Sequence, residues 1–144
     1  MKKKSYICIK KSCKYKMLSE FIKYLSSSSE YSIKSNEANV ISFEYKGLNY
    51  LFVNDNDDPY YIRLILPNVI NVSDTRISEK LNNIINEYNS TFKAIKLTIV
   101  NDSLWLSIEQ FIYSKDNVAN LFSRIIIILE TVISKFREDY LQKK

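Results

Sequence analysis

The order in which hydrophobic periodicity changes along the chain constrains its fold more than any other feature of the sequence. A stretch with helical spacing is followed by three strand-like runs, a second helical stretch, two more strand-like runs and a long closing helical stretch. This order, α-β-β-β-α-β-β-α, predicts an α+β protein in which helices pack on an antiparallel five-stranded sheet.

The bounds of the predicted elements follow from the two spacings. Apolar residues three to four positions apart predict helices at residues 12–25, at residues 74–88 and from residue 116 onward. Alternating apolar residues predict strands at residues 40–45, 48–53, 60–66, 92–100 and 104–113. Lys46-Gly47 and Asn101-Asp102 are expected to form turns, and Pro67 is expected to end the third strand.

The apolar stripe of the last predicted helix is unusually broad. Residues 126–128, all isoleucine, widen it beyond what one packing face needs. Either this helix is buried on more than one side or part of it meets a partner, and we favour burial. The apolar run at residues 125–129 is too short to span a bilayer, and Arg124 and Glu130 bracket it.

The charge of the chain is concentrated at one end. With 144 residues the chain has the size of one domain. Residues 1–16 hold seven of the 21 basic residues and no acidic residue. The rest of the chain therefore has 14 basic and 16 acidic residues, a net charge of −2. We therefore predict a basic N-terminal arm at residues 1–15 and a single domain at residues 16–144. Such an arm can contact nucleic acid or an anionic membrane, but a lysine cluster without arginine is more typical of a solvated terminus.

Cysteine use and the N-terminal sequence bear on the compartment. The apolar segment after the first lysines covers only residues 6–9, which is shorter than a signal peptide requires. Cys8 and Cys13 are too few for a disulfide framework and indicate free thiols in a reducing compartment. We therefore predict a cytoplasmic protein without a membrane partner.

Residue counts exclude several kinds of active site. The sequence has no histidine, which removes Ser-His-Asp and Cys-His catalysis and histidine metal sites, and its single glycine removes the glycine-rich nucleotide loops. Asp55, Asp57 and Asp58 resemble a calcium loop but lack its glycine and its final glutamate, so we interpret them as a solvated hairpin loop. We predict no enzyme, no cofactor and no metal.

Four aromatic residues form the candidate binding site. Tyr61, Trp105, Phe111 and Tyr113 lie on predicted strands, with the parity opposite to the aliphatic residues assigned to the core. If that face of the sheet is open, these residues can bind an extended peptide or stacked bases. The alternative is a second covered face or a dimer interface.

The apolar patterns also resemble a known family. The resemblance rests on residues 48–53 leading into 60–66, and on residues 84–86 leading into 92–97 and 104–106. Over residues 16–140 these patterns are similar to those of YbjN-like proteins and the wider group of type III secretion chaperone-like folds. The resemblance implies an antiparallel sheet with helices packed on it, often a homodimer, and a noncatalytic role in binding a protein segment.

The sequence therefore predicts a noncatalytic protein-binding domain of chaperone or adaptor type that is a homodimer and engages an extended segment of another protein. An immunity protein that neutralises a toxin is the alternative. A second, less favoured alternative is a nucleic-acid binder that uses the lysine-rich arm. The element order is not that of an RRM, and the sequence has no recognised RNA-binding motif.

Overall fold

A computed structural model describes residues 17–72, 79–112 and 118–142. Its elements, in chain order, are helix α1 at residues 17–26, strands β1 (Tyr31–Glu37), β2 (Val40–Tyr45), β3 (Leu48–Asn54) and β4 (Tyr61–Asn71), helix α2 (Glu79–Thr91), strands β5 (Ile95–Val100) and β6 (Ser103–Phe111), and helix α3 (Val118–Gln142). The predicted arm at residues 1–15, Cys8, Cys13 and Tyr113 lie outside the described residues.

The strands form one antiparallel sheet in the order β1-β2-β3-β4-β6-β5. This confirms the predicted α+β class and the antiparallel sheet, but the predicted number of five strands is wrong because β1 is a sixth strand. Every residue of β1 after Tyr31 is exposed, so the strand lacks the apolar alternation that would reveal it. Ala38 begins the two-residue turn into β2 with a φ of 51°, a conformation that an alanine does not signal.

The predicted end of the third strand at Pro67 is also wrong. β4 continues to Asn71, and its register with β6 shifts between Leu66 and Ile70. A bulge of this kind leaves ladder positions unpaired and so accommodates a proline, which has no N–H to donate. The predicted turns at Lys46-Gly47 and Asn101-Asp102 are confirmed, since all four residues have positive φ, as type I′ hairpins require.

Three aromatic rings join the helices to one face of the sheet, which we name the inner face. Phe21 of α1 stacks on Phe52 of β3 with ring centroids 3.9 Å apart. Phe122 of α3 meets both rings edge-on, at 4.7 Å and 5.6 Å. All three rings are completely buried, so this cluster fixes α1 and α3 against the sheet.

The three isoleucines that widen the apolar stripe of α3 do not all pack on the core. Ile126 is only 1% exposed, and Ile128 packs against the core from its margin. Ile127 points away from the core and is 55% exposed. Within the described residues, the buried apolar side chains of the helices all belong to the core on the inner face. The opposite side of the sheet, which we name the outer face, is the location of the candidate site.

Candidate partner-binding face

Two of the predicted aromatic residues meet on the outer face. Tyr61 begins β4 and Phe111 ends β6, and the two are register partners whose ring centroids are 5.1 Å apart. Phe111 is 49% exposed. Trp105 lies on the same face of β6 but six residues from Phe111, or about 20 Å along an extended strand. The structure therefore brings Tyr61 and Phe111 together and places Trp105 at a distance from them.

Charged side chains occupy the section between the aromatic pair and Trp105. Arg63 is the register partner of Glu109, and the Oε1 of Glu109 lies 3.5 Å from the Nζ of Lys96 on β5. The hydroxyl of Tyr61 also bonds to Glu109. Burial and, secondarily, this hydrogen bond raise the pKa of Tyr61 to about 12. Arg63, Lys96 and Glu109 together carry a formal charge of +1, and the carboxylate of Asp55 also acts on Tyr61.

A cavity of about 150 Å³ includes this charged section in its lining. Three strands line it with Arg63, Ile65, Lys96, Thr98, Val100, Trp105, Ser107 and Glu109. Ile65 forms part of its lining and is 5% exposed, although it is outside the core on the inner face.

Two residues that line this cavity carry a buried hydrogen-bond donor without an acceptor in the described part of the chain. Within the described residues three buried side-chain atoms lack a partner, and two of them, Arg63 Nε and Trp105 Nε1, belong to residues that line it. Leaving a buried donor unpaired costs roughly 1–3 kcal/mol, so native proteins retain few. Both donors belong to residues that line one cavity, next to the ion pair of Lys96 and Glu109. The sequence could not reveal this, because the pairing of a donor is not encoded in its residue type.

A buried asparagine that the sequence analysis missed positions the start of β4. The Nδ2 of Asn54 donates to the carbonyl oxygens of Pro59 and Tyr61, at 3.2 Å and 3.3 Å. Its main chain also exchanges hydrogen bonds with Asn39 in the β1–β2 turn. Asn54 is fully buried and fixes the loop at residues 55–60, which leads into β4 at Tyr61. A lone asparagine at the end of an apolar strand was the only available signal.

The acidic loop before β4 is held together by its own carboxylates. The Oδ1 of Asp55 accepts hydrogen bonds from the backbone N–H groups of Asp57 and Asp58, at 2.8 Å and 3.1 Å. The Oδ1 of Asp58 accepts one from the N–H of Tyr60 at 3.0 Å. These bonds shape a turn. Across the described ranges, no three His, Cys, Asp or Glu side chains are grouped to hold a metal ion.

Both edges of the sheet carry features that hinder the addition of another strand. On β5, the Nδ2 of Asn89 donates to the carbonyl of Leu97 at 3.1 Å, and the N–H of Leu97 donates to the Oδ1 of Asn89 at 2.7 Å. The α2 side chain thus occupies the place of a strand partner. At the other edge, β1 contains a register shift between Ile33 and Ser35 and an exposed Lys34. Bulges and edge lysines are common protections against edge pairing.

Comparisons with known proteins leave the family open. No protein-family model matches this sequence, and a search of curated proteins finds no match either. The resemblance to YbjN-like proteins therefore stays a prediction. None of the helices in residues 17–72, 79–112 and 118–142 combines the length and the hydropathy needed to cross a bilayer.

Proposed function

We propose that this chain is a noncatalytic protein-binding domain, of chaperone or adaptor type, that holds an extended segment of a partner protein on its outer face. The observation that carries the proposal is an aromatic pair, of which Phe111 is exposed and Tyr61 half-buried, together with two unpaired buried donors on one face of the sheet. Aromatic side chains supply contact area, and unpaired donors supply specificity.

The dimensions of the face suit a short extended segment. From the Tyr61–Phe111 pair to Trp105 the face measures about 20 Å, which is the length of six residues in a strand. Because Asn89 takes up the main-chain groups of Leu97 in the middle of the β5 edge and β1 is bulged, addition of the segment to a sheet edge is less favourable than contact with the face. We accordingly place the segment along β4 and β6.

The proposal is tested by purifying the tagged full chain from its native cells, with and without nuclease, in three forms. The forms are the wild type, the variant Phe111→Ser and the control Ile127→Ser. Phe111 and Ile127 are exposed to a similar extent, 49% and 55%, but lie on the outer face and on α3 respectively. Both substitutions remove an exposed apolar side chain, so any general effect on solubility or folding is matched.

A stoichiometric protein that survives nuclease, is retained by Ile127→Ser and is lost by Phe111→Ser would support the proposal. The identity of that protein would then separate a chaperone, an adaptor and a toxin-neutralising immunity protein, and a second copy of the chain would indicate the homodimer. Equal capture by all three forms would refute a role for the outer face. Loss of every partner on nuclease treatment would instead point to nucleic acid.

A further inference from the structure

We infer that the partner segment carries an acidic side chain that enters the cavity between Arg63 and Trp105, four residues from an apolar side chain that packs on Tyr61 and Phe111. This inference rests on the proposed function and adds the chemistry of the partner to it.

The size of the cavity favours a side chain over a small molecule. Pockets for free ligands and cofactors measure roughly 300–1,000 Å³. The cavity measures about 150 Å³, so it admits a single side chain but no nucleotide or cofactor.

Charge and donor geometry favour a carboxylate as the group that enters. Glu109 already interacts with Lys96 and Tyr61, whereas no ion pair of Arg63 is found within the described residues. The guanidinium Nε–H and the indole N–H are pure donors, and a carboxylate is a pure acceptor. A neutral carbonyl would also accept, but it would leave the local charge of +1 without a counter-charge.

The register of the sheet sets the spacing of the two partner side chains. Tyr61–Phe111, Arg63–Glu109 and Ile65–Ser107 are successive pairs on the outer face. Each pair is two residues, or about 7 Å, from the next. The two unpaired donors bracket the Ile65–Ser107 pair, which lies about 13 Å from the aromatic pair. An extended segment covers that distance in four residues, so its sequence has an apolar residue and an acidic residue in the pattern i, i+4.

The inference is tested with displayed random twelve-residue peptides selected on the full chain. Each selected peptide is then synthesised with its acidic residue intact and with the matched change of Glu to Gln or Asp to Asn. Dissociation constants are measured for the wild type and for Arg63→Lys, which keeps the charge but loses the planar guanidinium donors. Lys34→Gln is the control, because it removes an exposed cation that pairs with Glu44 outside the cavity.

We expect the amide peptides to bind the wild type at least about tenfold more weakly than the acidic ones, the usual effect of a charged hydrogen bond. Arg63→Lys should lose a similar factor, and Lys34→Gln should change binding less than twofold. Trp105 is the only tryptophan of the chain, so one indole ¹⁵N–¹H resonance reports on its N–H directly. The acidic peptide should shift that proton downfield, and the amide peptide should not.

Two outcomes would overturn the inference, and they are distinguishable. Peptides that require Phe111 but tolerate the amide change and Arg63→Lys would refute the carboxylate site and leave the proposed function standing. Failure of the wild type to select any peptide, or peptides that bind Phe111→Ser equally well, would refute both. Thermal melts of every variant establish that the chain is folded.

Discussion

Replacing Trp105 with phenylalanine should not destabilise the protein, although it removes part of a half-buried side chain. The indole Nε1 is buried and has no acceptor within the described residues. Relieving one unpaired buried donor stabilises the folded state by roughly 1–3 kcal/mol. Phenylalanine keeps an aromatic ring on β6 and has a comparable preference for strands.

The opposing effect is a loss of contact area. The phenyl ring buries about 40 Å² less apolar surface than the indole, which destabilises the fold by roughly 1 kcal/mol. We therefore expect a free energy of unfolding between unchanged and about 2 kcal/mol higher. At about 3 °C per kcal/mol for a chain of this size, the Tm should rise by no more than about 6 °C.

Urea unfolding followed by far-ultraviolet circular dichroism measures this effect without depending on the tryptophan. A fall of more than about 1 kcal/mol at constant m-value would refute the reasoning, because it would mean that the indole N–H has an acceptor in solution. Trp105→Ala is the matched comparison. It removes the donor and the ring together, and we expect it to lose about 2 kcal/mol for a half-buried side chain.

Three further predictions test the supporting structure. Asn89→Ala should lower the free energy of unfolding by about 1 kcal/mol and cause concentration-dependent self-association in size-exclusion chromatography, because Leu97 loses both hydrogen bonds. The control is Asn83→Ala, at an exposed position of the same helix. Equal behaviour of the two variants would show that Asn89 does not protect the edge of β5. Asn54→Asp should lower the free energy of unfolding in urea at pH 7 by about 3 kcal/mol, because a buried carboxylate would lie against two carbonyl oxygens. A change below about 1 kcal/mol would show that water reaches the site. Folding raises the pKa of Tyr61 from 10.0 to about 12, so its contribution to stability is complete below pH 10 and is lost as the pH rises through 12. Tyr61→Phe should therefore lose less stability than the wild type between these values, and parallel pH profiles would refute this.

The elements that the sequence predicted well are those with one buried face. On β6 the alternation of Leu104, Leu106 and Ile108 placed Trp105 on the outer face, and all three aliphatic residues are buried in the structure. β1 escaped prediction because it is stabilised by main-chain pairing with β2, and such pairing leaves no hydrophobic pattern in a strand whose side chains are exposed. The continuation of β4 past Pro67 likewise depends on its alignment with β6.

The candidate site was predictable only in part, for a related reason. The alternation of side chains along the strands identified its aromatic residues. Arg63 could be assigned to the site only from the strand register, which places it opposite Glu109 and beside the cavity. The hydrogen bonds between Asn89 and Leu97 join a helix to the strand that follows it, and nothing in the local sequence distinguishes Asn89 from the asparagines at positions 82 and 83.

The protection of the sheet edges bears on what kind of recognition this fold supports. Strand addition at an edge derives its affinity from main-chain hydrogen bonds, which are nearly independent of the partner's sequence. Here Asn89 already satisfies the main chain of Leu97, and β1 is bulged at Ile33 and Ser35. Contact with the outer face would instead depend on side chains, and the unpaired donors of Arg63 and Trp105 would favour a partner that supplies an acceptor over one that does not. A domain of this design would therefore select one partner sequence rather than hold unfolded chains in general, which favours an adaptor or a dedicated chaperone over a general holdase.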